Sequence, residues 1–239
     1  MNDAINKSAS VIIYVLCYDD ATYKSCMQRY ARYSLWAKPV LMKYQNVTFE
    51  NAFWQQLLEI EHEWESCAMV GTISHKAHMK MNIDVLDKMI HAQRYLLYDY
   101  FTFIENGATL FHDHTDHQII TKLLVRDMAS KLNHTTDSKL CFCNYWMTTP
   151  SLMKSFIQWH LNICLPALLE HPKCFDKYIY TGGSLSNCQL MKLWGRPYYP
   201  ATPFVLERIN SIFFSNARIK KGTLKKVQNK LLMRMQIKN

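Results

Sequence analysis

The stretch Cys67-Ala-Met-Val-Gly-Thr-Ile-Ser-His-Lys-Ala-His-Met-Lys80 decides how the rest of the chain is interpreted. Its first half, residues 67–73, is a short apolar run with the β-branched content of a buried strand. Its second half is basic and holds His75, Lys76, His78 and Lys80. A buried strand that ends in cations is typical of a binding site at the carboxyl edge of an α/β sheet, for a phosphate, a carboxylate or a metal. A strand followed by a solvated loop is the alternative.

The composition is that of a folded domain and excludes several enzyme classes. Of 239 residues, 49% are hydrophobic and 13% aromatic, which is enough for a sizeable core. There is no dinucleotide fingerprint, no P-loop and no nucleophile elbow, and the eight cysteines form no CxxC pair. No apolar run has the length of a signal peptide or a membrane span, so we expect reduced thiols and a cytoplasmic location.

The net charge of +9 belongs mainly to the C-terminal tail. From Ile209 onward there are eight Lys or Arg and no acidic residue, whereas the rest of the chain has 20 basic and 19 acidic residues. Within residues 216–239 apolar side chains recur at mostly helical steps between the lysines, which predicts a basic amphipathic helix after a single domain over residues 1–215. Such a helix suits an anionic membrane surface, and a terminal helix packed on the domain is the alternative.

Strands and helices alternate along residues 10–215. The run 10–18 is apolar on both faces, as a central parallel strand is. Asp19 then either caps a helix that reaches about Tyr33 or contacts a base or ribose. Further strands are expected at 38–44, 95–104 and 140–147, and further helices at 49–65, 83–93, 118–132, 150–169 and 204–214. The alternation predicts an α/β fold with a central, mostly parallel sheet flanked by helices.

Two polar clusters are further candidates for a site. Residues 111–117 hold three histidines and two aspartates, which suggests a metal site, but the spacing matches no closed zinc site and an exposed loop explains it equally well. Glu207 and Arg208 stand inside an apolar helical run. They form either a structural ion pair or a pair of which one member faces a ligand.

Four stretches, in this order, give the chain a resemblance to a known family. They are Ile-Tyr-Val-Leu-Cys-Tyr18, a helix ending in Trp64 with Met-Val-Gly-Thr-Ile-Ser-His-Lys76 after it, Asn144-Tyr-Trp-Met-Thr-Thr-Pro-Ser-Leu-Met, and Phe204-Val-Leu-Glu-Arg. Over about residues 10–215 the chain resembles small nucleotide-sugar glycosyltransferases of the GT-A type, in particular those of large algal DNA viruses (chlorella viruses) and bacterial capsular and rhamnan-synthesis transferases. Many GT-A enzymes hold a divalent metal with an Asp-x-Asp pair, which this chain lacks.

The resemblance implies transfer of a sugar from a nucleotide-diphosphate sugar to a glycan or glycoprotein acceptor. The implied donor-binding residues are Tyr18 and Asp19 for the base and ribose, His75, Lys76 and His78 for the diphosphate, Tyr145 and Trp146 for the sugar ring, and Arg208. Asp113 or Glu207 is the expected catalytic base.

The resemblance leaves open two ways in which the negative charge of the leaving diphosphate is neutralised. A Mn or Mg ion is held by Asp113, Asp116 and His114, or the cations after the strand at 67–73 replace it. Two other classes remain as rivals, a non-catalytic scaffold and a nucleic-acid-binding α/β protein with a basic tail. The aromatic residues stand mostly in apolar runs, which argues against nucleic acid as a partner.

Overall fold

A computed structural model describes residues 10–104, 119–134, 144–178, 185–215 and 218–224. The strands within these ranges are β1 Val11–Cys17, β2 Ala37–Leu41, β3 Met69–Ser74, β4 Tyr100–Thr102, β5 Trp146–Thr148, β6 Lys177–Tyr178, β7 Tyr199–Pro200 and β8 Lys221–Thr223. The helices are α1 Asp20–Tyr30, α2 Phe53–Glu59, α3 Glu61–Trp64, α4 Ala77–Lys80, α5 Ile83–His91, α6 Ile119–Lys131, α7 Pro150–Trp159, α8 Leu165–Leu169, α9 Asn187–Trp194 and α10 Thr202–Phe214. In the described ranges no helix is both long enough and apolar enough to cross a membrane.

The fold is α/β, as the alternation of elements predicted. A six-stranded mixed sheet has the order β2-β1-β3-β5-β4-β8, and helices flank it. β1 pairs in parallel with β2 and β3, and β4 pairs in parallel with β8. β5 is antiparallel to β3 and β4, so the sheet is mostly parallel with one reversed inner strand. A separate antiparallel pair joins β6 and β7.

β3 is the buried strand that its apolar sequence predicted. All six of its residues are buried, and it lies between β1 and the reversed β5. Gly71 is needed there because a Cβ atom at this position would lie 2.6 Å from the Met147 Cβ of β5 and would also overlap the Trp146 carbonyl oxygen. The missing side chain therefore allows the two strands to approach closely.

The two faces of β1 enter two different cores. Ile13 and Val15 pack with residues of α1 and α5 on one side of the sheet, whereas Tyr14 and Leu16 pack with residues of α2 and α7 on the other. This is the two-residue period of a strand that is covered on both faces. A third cluster joins α6, α8 and α10.

Two of the expected strands have only three residues in the described part of the chain. At 95–104, residues Arg94–Leu97 form a 3-10 turn in which Leu96 and Leu97 are exposed, and only Tyr100–Thr102 joins the sheet. An apolar run of this length does not distinguish a strand from a turn of helix by periodicity. At 140–147 the strand is β5, which follows Asn144 in a left-handed conformation (φ 53°). Residues 140–143 lie outside the described part.

The prediction of a helix at 216–239 is wrong for residues 221–223, which form a strand. Lys221–Thr223 form the edge strand β8, and Leu224 is buried in the core beside α1 and α5. Sheet hydrogen bonding to β4 overrides the helical spacing of the apolar residues, which is a weak local signal. Residues 225–239 lie outside the described ranges, and their proposed attraction to an anionic membrane stays a prediction.

Candidate functional site

A cavity of about 240 Å³ opens at the carboxyl edge of the sheet. Tyr18 and Asp19 follow β1 there, and His75 and Lys76 follow β3. The two strands are parallel neighbours with Leu16 opposite Ser74, so the chain leaves both of them at the same place. Four of the residues expected at a donor site are thereby brought together.

His75 and Lys76 line this pocket in different charge states. The His75 ring lies edge-on to the Tyr18 ring, with 5.2 Å between the ring centroids. Burial, and then the charge of Lys76, lower the pKa of His75, so its imidazole is neutral near pH 7. His75 therefore lines the pocket as a neutral ring, and Lys76 is the cation that follows it in the pocket wall. The Nδ1 of His75 is buried and has no hydrogen-bond partner among the described residues.

The other basic residues of the stretch occupy two places. His78 is exposed and does not line the pocket, since its Nδ1 lies 2.9 Å from Arg29 Nη1 and 3.1 Å from the His75 carbonyl oxygen. The structure therefore does not bring His78 into this pocket, and its contact with a diphosphate stays a prediction. Lys80, to which the sequence assigned no role, does line the pocket. Its Nζ lies 5.3 Å from the centroid of the Tyr145 ring.

Glu50 is another pocket residue to which the sequence assigned no role. It belongs to a 3-10 turn, Phe49–Ala52, and its Oε1 accepts a 2.7 Å hydrogen bond from the Tyr18 hydroxyl. Burial, and then the charge of Glu207, raise the pKa of Glu50 to about 7. The same burial, with Glu50 as the next cause, raises the pKa of Tyr18 well above its usual value, so the phenol keeps the proton that it donates.

Glu207 brings a second carboxyl group into the pocket. It projects from α10, and burial raises its pKa. Arg208 is its neighbour in sequence, but successive residues of a helix point about 100° apart. Arg208 is buried, donates to the carbonyl oxygen of Phe204 and does not line the pocket. Of the pair, Glu207 is therefore the member that lines the pocket.

Of the two roles expected of Asp19, the structure shows the helix cap, and the contact with a base or ribose stays a prediction. Its Oδ1 accepts a 2.7 Å hydrogen bond from Thr22 N, so it is the N-cap of α1. This bond lowers its pKa, and the carboxylate is ionised. Asp19 is exposed at the mouth of the pocket, where it can also meet a ligand.

The flat apolar surface of the pocket comes from residues that the sequence did not indicate. Phe49 and Tyr199 line it, and their rings are stacked with 5.5 Å between centroids and 28° between planes. Trp146 is fully buried and stacks on Trp54 at 5.3 Å inside the core. The expectation that Trp146 presents a face to a sugar is therefore wrong.

Tyr145 does not line the pocket but contacts a residue that does. It is buried, and its hydroxyl is hydrogen-bonded to Ser74 Oγ at the end of β3. Ser74 lines the pocket and its Oγ also accepts from Lys76 N at 3.3 Å. The expected contact of Tyr145 with a sugar is thus replaced by a structural role at the strand end.

Buried amides join the two elements that present the carboxyl groups. Asn51 follows Glu50, and Asn210 lies one helical turn after Glu207. Asn144 stands between them: its Nδ2 lies 3.5 Å from Asn51 Oδ1, and Asn210 Nδ2 donates to its Oδ1 at 3.0 Å. All three amide side chains are buried, so these hydrogen bonds are costly to lose and hold the 3-10 turn against α10.

The residues expected to bind a metal lie outside the described part of the chain. Asp113, Asp116 and His114 belong to the stretch 105–118, and the catalytic role expected of Asp113 stays a prediction for the same reason. In the described ranges, no group of three or more His, Cys, Asp or Glu side chains comes together as a metal site would require.

The chain was also compared with known proteins. Neither the protein-family models, nor the curated proteins, nor the solved structures contain a significant match to it. A proposal for the function of this protein therefore rests on its sequence and on the chemistry of the pocket.

Proposed function

We propose that the protein is a glycosyltransferase that moves a sugar from a nucleotide-diphosphate sugar to a hydroxyl group of a glycan or glycoconjugate. The observation that supports this most directly is the meeting of two lysines and two half-buried carboxyl groups in one pocket, Lys76 and Lys80 with Glu50 and Glu207, in addition to the exposed Asp19. Such a transfer needs a cation where the diphosphate leaves and a carboxylate where the acceptor loses its proton. The mostly parallel α/β sheet agrees with the GT-A resemblance of the sequence.

Lys76 is proposed to bind the diphosphate. It follows a buried strand and lines the pocket. Its positive charge offsets part of the rise in the pKa of Glu50 that burial and Glu207 cause, so it acts on the interior of the pocket, where a ligand would lie. Lys80 acts on Glu50 in the same sense. Two ammonium groups beside a leaving diphosphate stabilise the negative charge that develops as the glycosidic bond breaks.

Glu50 is proposed as the base. A carboxyl with a pKa of about 7 is half ionised near neutral pH and holds an accepted proton well, which is the property that general-base catalysis requires. In the proposed step the acceptor oxygen forms a bond to the anomeric carbon and its proton passes to Glu50. The bond from that carbon to the diphosphate breaks, and the diphosphate leaves with the electron pair.

The remaining pocket residues suit recognition of the donor. Phe49 and Tyr199 offer stacked aromatic rings for the planar base or the apolar face of a sugar. Asp19 is ionised at the pocket mouth and can accept hydrogen bonds from ribose hydroxyls. These roles replace those that the sequence resemblance gave to Tyr145 and Trp146.

Calorimetry with nucleoside diphosphates, followed by hydrolysis of a panel of nucleotide-diphosphate sugars with and without Mn²⁺ or Mg²⁺, tests this proposal. Lys76→Ala should weaken diphosphate binding by about ten- to a hundredfold, the scale of a hydrogen bond to a charged group. Lys24→Ala is the matched control, because Lys24 is an exposed lysine of α1 that does not line the pocket.

The possible results separate the proposal from its rivals. Binding of a nucleoside diphosphate with donor hydrolysis that Glu50→Gln abolishes is the expected outcome. Binding without turnover of any donor would instead indicate a non-catalytic relative. No diphosphate binding, or equal binding by Lys76→Ala and the wild type, would overturn the donor assignment.

A further inference from the structure

A second cavity, of about 580 Å³, lies beside the pocket and has no role in the proposed reaction. Its walls come from the C-terminal end of α1 with the turn after it, and from α4 with the start of α5. We call it the basic groove. Lys80 lines both the basic groove and the pocket, so the two cavities are neighbours that meet at this residue.

The basic groove has an excess of positive charge. Arg29, Arg32 and Lys80 line it, and among its lining residues Asp84 is the one acid. Asp84 is already bound, since its Oδ1 accepts from Arg32 Nη2 at 2.8 Å. An anion that entered the groove would therefore meet Arg29, a cation that the groove's own carboxylate does not contact.

Arg29 is the residue best placed to receive such an anion. It is exposed, and one nitrogen of its guanidinium, Nη1, lies 2.9 Å from His78 Nδ1. It makes no salt bridge with any residue of the described ranges. The other N–H donors of a guanidinium form a planar fork that matches two oxygens of a phosphate, and the contact with His78 orients that fork.

We propose that the basic groove binds a phosphate group of the acceptor, with Arg29 as its principal ligand. This inference rests on the proposed function only for the source of the phosphate. If the acceptor hydroxyl lies at Glu50 in the pocket, a charged group of the same molecule can extend into the adjoining groove, because Lys80 lines both cavities. The groove would then select acceptors that are phosphorylated near the hydroxyl that receives the sugar.

The first test uses inorganic phosphate as the probe and needs no nucleotide. Phosphate is titrated into the full chain while NMR follows the Arg29 side-chain N–H and His78 ring signals. Arg29→Ala should weaken phosphate binding at the groove about tenfold or more. Lys24→Ala, which removes one exposed charge from the same helix, should leave it unchanged, and so should Lys76→Ala in the pocket. Equal phosphate affinity of Arg29→Ala and the wild type would overturn the proposal.

A second titration, with a nucleoside diphosphate, identifies the source of the phosphate. If the groove serves the acceptor, Arg29→Ala keeps the wild-type affinity for the nucleoside diphosphate, while Lys76→Ala loses it. A loss in both variants would mean that the groove holds a donor phosphate, and the acceptor assignment would be overturned. If the wild type binds no nucleoside diphosphate at all, the proposed function fails, yet the phosphate titration still decides whether the groove is an anion site.

Discussion

The hydroxyl of Tyr18 donates a 2.7 Å hydrogen bond to Glu50 across 32 residues of sequence. It joins the carboxyl end of β1 to the 3-10 turn after β2. Burial and the charge of Glu207 raise the pKa of Glu50, whereas this hydrogen bond lowers it. Tyr18 therefore sets how readily the proposed base takes up a proton, in addition to any contact that it makes with a ligand.

Replacing Tyr18 with Phe should raise the pKa of Glu50 above its value of about 7, because the ionised carboxylate loses a donor while its burial remains. Carbon-13 NMR of the Glu50 carboxyl across pH 5–9 measures this directly. Tyr44→Phe is the control, since Tyr44 bonds the exposed Glu59 and not Glu50. A lower Glu50 pKa in Tyr18→Phe would show that the bond does not favour the ionised form.

Glu50→Gln should change how stability depends on pH. The folded-state pKa of Glu50 lies above its unfolded value, so the wild type is most stable when the carboxyl is protonated and loses stability as pH rises toward and through about 7. The amide does not ionise. Urea unfolding should therefore show that the free energy of unfolding of the variant, relative to that of the wild type, is higher at pH 8 than at pH 5. A difference that is the same at both pH values would contradict the raised pKa.

Gly71→Ala should destabilise the sheet by about 3 kcal/mol, because the new methyl group meets backbone and Cβ atoms of β5 that cannot move aside. Chemical denaturation of both proteins measures the cost. Gly195→Ala is the comparison: nothing lies within 4 Å of a Cβ there, but φ is +81°. Its cost should be only about 1 kcal/mol, from the left-handed backbone. Equal costs would mean that β3 and β5 are not as close as described.

Two truncations should separate β8 from the residues after it. A chain that ends at residue 217 loses β8, the bond from Lys220 N to Asp99 Oδ2 at 2.9 Å, and the buried Leu224. Its melting temperature should fall by about 10 °C. A chain that ends at residue 224 keeps all of these and should melt within a few degrees of the full chain. Equal melting of the two truncated chains would mean that β8 adds nothing to the sheet.

The strands and caps of the first half could be predicted because their signals are local. Residues 67–73 are apolar and bounded, and β3 is found there from Met69. Asp19 precedes the first helix, and its carboxylate caps it. The direction of β5 was not visible, because its sequence is equally apolar in either orientation and its pairing depends on distant residues.

The carboxyl pair of the pocket was only half predicted. Glu207 stood out because it interrupts an apolar run, whereas Glu50 stands at the start of an expected amphipathic helix, where an acidic residue is ordinary. Its importance comes from the contact of the Phe49–Ala52 turn with α10, which is tertiary. The prediction that Trp146 faces a sugar was wrong for a related reason. Local sequence does not distinguish an aromatic ring in the core from one on a binding surface.

The pairing of β4 with β8 has a consequence for the order of folding. β1 and β2 join across a single helix, whereas the bond between Asp99 and Lys220 spans 121 residues of chain. Contacts between such distant residues form late, because the intervening chain must first lose its freedom. A partly folded molecule would already hold Lys76 and Glu50, but it would lack Glu207 until α10 docked. Completion of the pocket is therefore expected to coincide with the pairing of β4 with β8.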